Sequence, residues 1–127
     1  MAGQILLYVG AAITIIWGIA HLFPTKSVVK GFGDISTDNK HIITMEWIVE
    51  GVALIFIGFI VAGSAFIGID HKVSVFVFFA SSIVLIVLAV ISLFTGFKVN
   101  FLPFKLCPVL FSASALLIMV GWLMSTA

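Results

Sequence analysis

Apolar residues fill four long stretches of this chain, and short polar segments separate them. Between Ile5 and Phe23 no residue carries a formal charge, and Pro24 then removes a backbone donor. A first helix is therefore predicted over residues 5–23. Residues 25–40 hold Lys26, Lys30, Lys40, Asp34 and Asp38 together with Gly31 and Gly33, which is loop material. Within them Val28, Val29, Phe32 and Ile35 recur at roughly helical spacing, with Lys26 and Lys30 on other faces, as in a short segment lying along a surface. Thr37 or Asp38 is suited to accept from the free amides at the start of a second helix, predicted over 39–69, and the acid also suits the positive end of the helix dipole.

The polar turn Asp70, His71, Lys72 ends that helix, and a third is predicted over 73–97. A short connector holds Lys98 and Lys105, with Phe97, Phe101 and Phe104 at the boundary. A fourth helix is predicted over 106–124, with Pro108 in its first turn and Trp122 as an anchor near the far boundary. The third run is rich in valine, isoleucine and phenylalanine, which favour strands in water. In lipid, backbone donors must be satisfied within the segment or in a closed barrel, and four runs cannot close one. The predicted fold is all-α, an integral membrane four-helix bundle forming a single transmembrane domain over residues 1–127. The first run lacks a basic leader and a small-residue cleavage site, and its apolar stretch is long, so it reads as a retained helix.

Composition narrows the function. The chain is 63 % hydrophobic and 9 % charged, against roughly 45–50 % and about 25 % in soluble domains. The lipid bilayer is thus the first expected partner, and four spans of about 20 residues leave no room for a separate soluble catalytic domain. All basic side chains other than histidine are lysines and the net charge is +1, so no basic patch can follow a phosphate backbone and nucleic acid is set aside. Cys107 is the only cysteine, which excludes an internal disulfide, a paired-cysteine redox motif and a thiolate metal cage. Lys26, Lys30, Lys40, Lys98 and Lys105 fall on one side of the predicted bundle and Lys72 on the other, so the positive-inside rule puts both termini outside.

Small residues recur at three-, four- or seven-residue steps: Gly3, Gly10, Thr14 and Gly18 in the first helix, Gly51, Gly58 and Ala62 in the second, Ser82, Ala89, Ser92 and Gly96 in the third, and Ser114, Gly121 and Ser125 in the fourth. Such stripes let helices approach in lipid, within one bundle or against another subunit.

The ionisable residues within or beside apolar helix are His21, Glu46 and Glu50, a class that is costly in a membrane and often functional. Glu46 and Glu50 are four apart, which predicts one shared face, and His21 belongs at the same membrane level. Counting about 20 residues back from Ile67 puts the boundary near Trp47, with Glu46 at headgroup level and Glu50 about one turn inside. A cavity is expected, floored by Thr14 and Gly18 and lined by Trp17, His21, Met45, Glu46 and Glu50. It suits a cation, a proton or a polar headgroup. The bland reading is that Glu46 is solvated and Glu50 accepts from His21, Trp17 or a lysine. The sharpest reading is a metal held by His21, Glu46 and Glu50.

The segments Gly18-Ile-Ala-His21-Leu-Phe-Pro24 and Glu46-Trp-Ile-Val-Glu50-Gly51, followed by Gly58, resemble the DoxX-like small membrane proteins. That resemblance implies a compact four-helix bundle, makes Glu50 the position most like the family's helix-two acid, and implies a partner-dependent role, since members are associated with quinone-linked oxidation subunits and with assembly of membrane complexes. Small multidrug transporters share the size and helix number, but carry their essential glutamate in helix one, where this chain has no acid.

Three functions suit the pattern. The first is a non-catalytic membrane module binding a lipid-like or small polar ligand, or a membrane protein partner. The second is a proton-coupled transporter acting as a dimer, and the third a metal-dependent membrane enzyme. No serine lies in a nucleophile-elbow pattern and no phosphate-cradling motif is present, so no catalytic set and no cofactor is identified.

Overall fold

The apolar runs close their hydrogen bonds locally. In a computed structural model describing residues 1–127, 91 of the 105 backbone hydrogen bonds lie within helices. The elements are α1 (Ala2–Leu22), α2 (Thr25–Gly31), α3 (Thr37–Ile67), α4 (Lys72–Phe94) and α5 (Leu102–Thr126), with a 3-10 turn over Gly96–Lys98 and no strand. Four segments, Ala2–Leu22, Thr37–Ile67, Lys72–Lys98 and Leu102–Thr126, are long and apolar enough to cross a membrane.

Local chemistry explains where the helices begin and end. A helix does form in the segment holding Val28 and Val29, but it is short: α2 ends at Gly31, before Phe32 and Ile35, and Gly33 follows at φ 71°, a conformation that suits glycine. The cap of α3 is Ser36 rather than Thr37 or Asp38. Its Oγ accepts from the Asn39 amide at 3.2 Å, so the helix starts two residues earlier than predicted, with Asp38 in its first turn. At the other end Gly68, at φ 151°, stops α3 at Ile67, short of the predicted Ile69. His71 caps α4 through its side chain.

The prediction for the last helix needs the largest correction. α5 begins at Leu102, so Pro103 is the proline of its first turn and Pro108 lies inside the helix, buried. Proline is tolerated where no amide is needed, which is the position Pro103 occupies. Pro108 has no N–H to give to the carbonyl four residues earlier, that of Phe104.

α1 packs against α3 on one side and α5 on the other, α4 packs closely on α5, and α3 meets α4 only loosely. Glycines make the closest approaches. A Cβ on Gly18 would lie 2.7 Å from the Gly51 carbonyl oxygen, one on Gly51 would lie 2.9 Å from the Gly18 carbonyl oxygen, and one on Gly58 would lie 2.7 Å from that of Ala11. On the other flank of α1, a Cβ on Gly121 would lie 2.7 Å from the Gly3 carbonyl oxygen. The small residues of α1 thus serve two neighbours, not one face. Ser82 Oγ donates to the Ala115 carbonyl at 3.4 Å between α4 and α5, and Ser74 Oγ to the Ser64 carbonyl at 3.1 Å between α4 and α3.

Leu7, Leu54, Phe78, Leu85 and Ile118 form the centre of the core. Elsewhere the apolar side chains point outward. No more than 39 % of the most apolar stretch of any long helix is buried, and Phe56, Phe59, Phe66 and Phe76 are among the exposed residues. A surface this apolar has lipid or another protein as its natural solvent. Trp122 meets Phe79 edge to face at 5.0 Å, with its indole nitrogen buried.

Gly18→Ala is expected to destabilise the bundle by about 1–3 kcal/mol, because the new methyl meets backbone that cannot move aside. Gly63→Ala, in exposed α3 with open space around it, should be neutral or stabilising by up to about 1 kcal/mol. Thermal unfolding in detergent followed by circular dichroism checks both, and equal midpoints for the two variants would refute the close α1–α3 approach.

Candidate functional site

The last carbonyls of a helix have no intrahelical amide to accept from, so the end of α1 at Leu22 needs outside donors. Thr25 supplies one, its hydroxyl donating to the Leu22 carbonyl at 2.8 Å. Trp47 of α3 supplies another, its indole N–H donating to the His21 carbonyl. The same indole stacks on the His21 ring, with centroids 4.9 Å apart and planes at 29°. Trp17 meets that ring edge-on at 5.4 Å.

These contacts fix His21, which is only 4 % exposed. Its Nδ1 lies 3.0 Å from the Trp17 carbonyl. A carbonyl only accepts, so this nitrogen carries the hydrogen. The remaining nitrogen, Nε2, faces Glu50 Oε1 across 3.6 Å, beyond ordinary hydrogen-bond distance. In the neutral tautomer both are acceptors. They attract each other only with a proton on one of them or with a donor from a third molecule between them. Glu50 is 40 % exposed, so the pair contributes only about 0–1 kcal/mol to stability. The tryptophans hold the histidine in place; the carboxylate is free to meet something else.

A cavity of about 450 Å³ opens beside this pair. His21 and Glu50 form one wall, Ser92 and Thr95 of the α4 end another, and Cys107 of α5 a third, among Leu88, Ile91, Val99, Phe104 and Phe32. Ser92 Oγ donates to the Leu88 carbonyl at 2.6 Å and Thr95 Oγ1 to the Ile91 carbonyl at 2.7 Å. Cys107 Sγ points its hydrogen at the Pro103 carbonyl, 3.5 Å away. The donors of these side chains are thus used inside their own helices, and what they offer the cavity is lone pairs. A smaller space of about 150 Å³ also borders His21, among Trp17, Trp47, Phe104 and Cys107.

The sequence-predicted residues divide. His21 and Glu50 meet as expected, and Trp17 packs on His21. Thr14 is buried but donates to the Gly10 carbonyl at 2.9 Å within α1 and lines neither cavity. Met45 and Glu46 are exposed on the outside of α3. The buried stripe of α3 runs through Gly51, Leu54, Gly58, Val61 and Ala65, and Trp47 continues it. At 100° per residue Glu50 lies about 60° from the centre of that stripe, Glu46 about 100° and Met45 about 160°. Sharing a face with Glu50 therefore does not bring Glu46 to His21. The set His21, Glu46 and Glu50 is not assembled, and no three His, Cys, Asp or Glu side chains lie close enough to hold a metal ion.

Trp47, Ser92, Thr95, Phe104 and Cys107 were missed as parts of the site. Depth would have pointed to them. The end of α4 and the start of α5 lie at the same end of the bundle as His21, and Cys107 is two residues past Lys105. Comparison with protein-family models, with curated proteins and with solved structures gives no match for this chain, so the DoxX-like resemblance rests on the residues quoted for it.

Trp47→Phe keeps an aromatic ring beside His21 and deletes the N–H to its carbonyl. A loss of about 0.5–1.5 kcal/mol is expected, with a larger loss for Trp47→Ala. Denaturation in mixed micelles measures both, and a fully stable Trp47→Ala would remove Trp47 from this role.

Proposed function

We propose that this chain is a multi-pass membrane protein that binds an amphipathic molecule with a hydrogen-bond-donating, cationic head in the cavity at its lysine-rich end. The observation that carries this reading is the one-sided chemistry of the wall: His21 Nε2, the Glu50 carboxylate and the Ser92 and Thr95 oxygens all present acceptors, and the remaining lining is largely apolar. A primary ammonium bridges His21 and Glu50 with its hydrogens, and its hydrocarbon part lies along Leu88, Ile91 and Val99. The loose α3–α4 boundary supports entry from the bilayer rather than from water. The positive-inside rule supports both termini outside and this cavity on the inner side.

The His21–Glu50 pair also favours a second reading. A histidine and a carboxylate facing each other across 3.6 Å in an apolar bundle are also the kind of pair that marks proton pathways, which suits proton-coupled transport by a dimer of this chain. Amine flux into proteoliposomes that ignores a pH gradient would remove that reading.

Dodecylammonium below its micellar concentration is expected to raise the thermal midpoint of the wild type, and dodecanoate is not. Glu50→Gln should weaken dodecylammonium binding about tenfold or more, whereas Glu46→Gln should leave it unchanged. Equal stabilisation by the two amphiphiles, or equal losses in the two variants, would overturn the proposal.

A further inference from the structure

A second pocket, of about 490 Å³, lies outside the bundle between α2 and the protruding first turns of α3. Lys26 and Lys30 border it from α2 and Lys40 from α3, joined by Thr25, Val29 and Thr44. Lys26 and Lys30 are four apart, and so are Lys40 and Thr44, so each helix turns one edge toward the other. Against these three ammonium groups stands one carboxylate, Asp34, and no ion pair joins any of the lysines to an acid. The pocket is therefore a concave site with an excess of positive charge, opposite in character to the acceptor-lined cavity around Glu50.

Its position narrows the anion. α3 has 31 residues, about ten more than a bilayer crossing needs, and the excess lies at its first end, where Lys40 and Thr44 are. Val28 of α2 and Phe32 just after it border an apolar groove shared with Val99, Phe101 and Phe104, while Lys26 and Lys30 of α2 line the other pocket. A helix with these two faces lies in the headgroup layer, and by the lysine distribution that layer is the inner one, where anionic lipids concentrate. We infer that Lys26, Lys30 and Lys40 form a binding site for the phosphate of an anionic phospholipid. This site is separate from the ammonium cavity and rests only on the membrane-spanning part of the function proposed above.

Native mass spectrometry of the full chain in non-ionic detergent tests it, with phosphatidylglycerol and phosphatidylcholine of matched acyl chains as probes. The wild type should retain the anionic lipid preferentially. Lys26→Gln/Lys30→Gln/Lys40→Gln should weaken that retention about a hundredfold, whereas Lys98→Gln/Lys105→Gln, at the same end of the bundle but outside the pocket, should leave it unchanged. If the triple variant does not fold, Lys30→Gln and Lys40→Gln singly are each expected to lose about fivefold. Equal losses in pocket and control variants would overturn the site in favour of diffuse surface charge. Displacement of the lipid by millimolar inorganic phosphate would overturn it in favour of a free-phosphate site. Flotation with phosphatidylcholine vesicles separates the two readings: protein that does not float defeats membrane insertion itself, and protein that floats without preferring the anionic lipid defeats only this site.

Discussion

The near-contact of α1 and α3 at Gly18 and Gly51 governs the rest of the molecule. Each glycine lies where the other's carbonyl oxygen leaves no space for a methyl, so the two backbones run almost against each other. That approach brings His21 to Gly51 and sets Trp47 over the end of α1. Trp47 then acts twice, as a cap for a carbonyl that helix geometry leaves unpaired and as a flat surface for the imidazole. Glu50 follows as the next residue on that margin of α3 able to reach the imidazole. A short-range steric fact in the interior thus decides which polar atoms converge at the end of the bundle.

The polarity of the cavity has an equally local origin. Serine and threonine inside helices commonly return their hydrogen to the carbonyl four residues back, as Ser92 and Thr95 do here. This satisfies the hydroxyl without an external partner, and it leaves a lone-pair-bearing oxygen facing out of the helix. Repeated on one wall opposite a carboxylate, the habit makes a surface that attracts donors and repels acceptors. The lysines on α2 and α3 have the opposite preference a short distance away, so one end of a very apolar protein carries two polar sites of opposite sign.

Much of the architecture was legible in the sequence because it rests on long-range averages. Runs of uncharged residues, the proline at position 24 and the polar turn around His71 place the helices to within a few residues, and no competing interaction moves them far. The exceptions were decided by single hydrogen bonds or dihedral angles: Ser36 won the cap from Thr37 and Asp38, and Pro103 took the first-turn position assigned to Pro108. In the candidate site, the meeting of His21 and Glu50 follows from depth and from the α1–α3 pairing. Glu46 and Met45 failed because a spacing of four residues says that two side chains are neighbours, and says nothing about where that neighbourhood sits relative to the buried stripe. Cys107, Ser92 and Thr95 came from helices whose charged residues, Lys72 and Lys105, lie near their starts, with no acid inside the apolar run to draw attention to them.

Three of the four boundaries between the long helices are tight: glycines seal α1 against α3 and against α5, and Ser82 joins α4 to α5. The fourth, between α3 and α4, is tied by Ser74 near the Asp70 turn and is loose elsewhere. A ring of helices closed on three edges behaves as a clip, because displacement along the open edge disturbs few packed atoms while displacement anywhere else breaks backbone contact. The compliance of the molecule is therefore concentrated along one line running from that turn toward Glu50, and the width of the cavity mouth is the dimension in which this otherwise stiff bundle yields first.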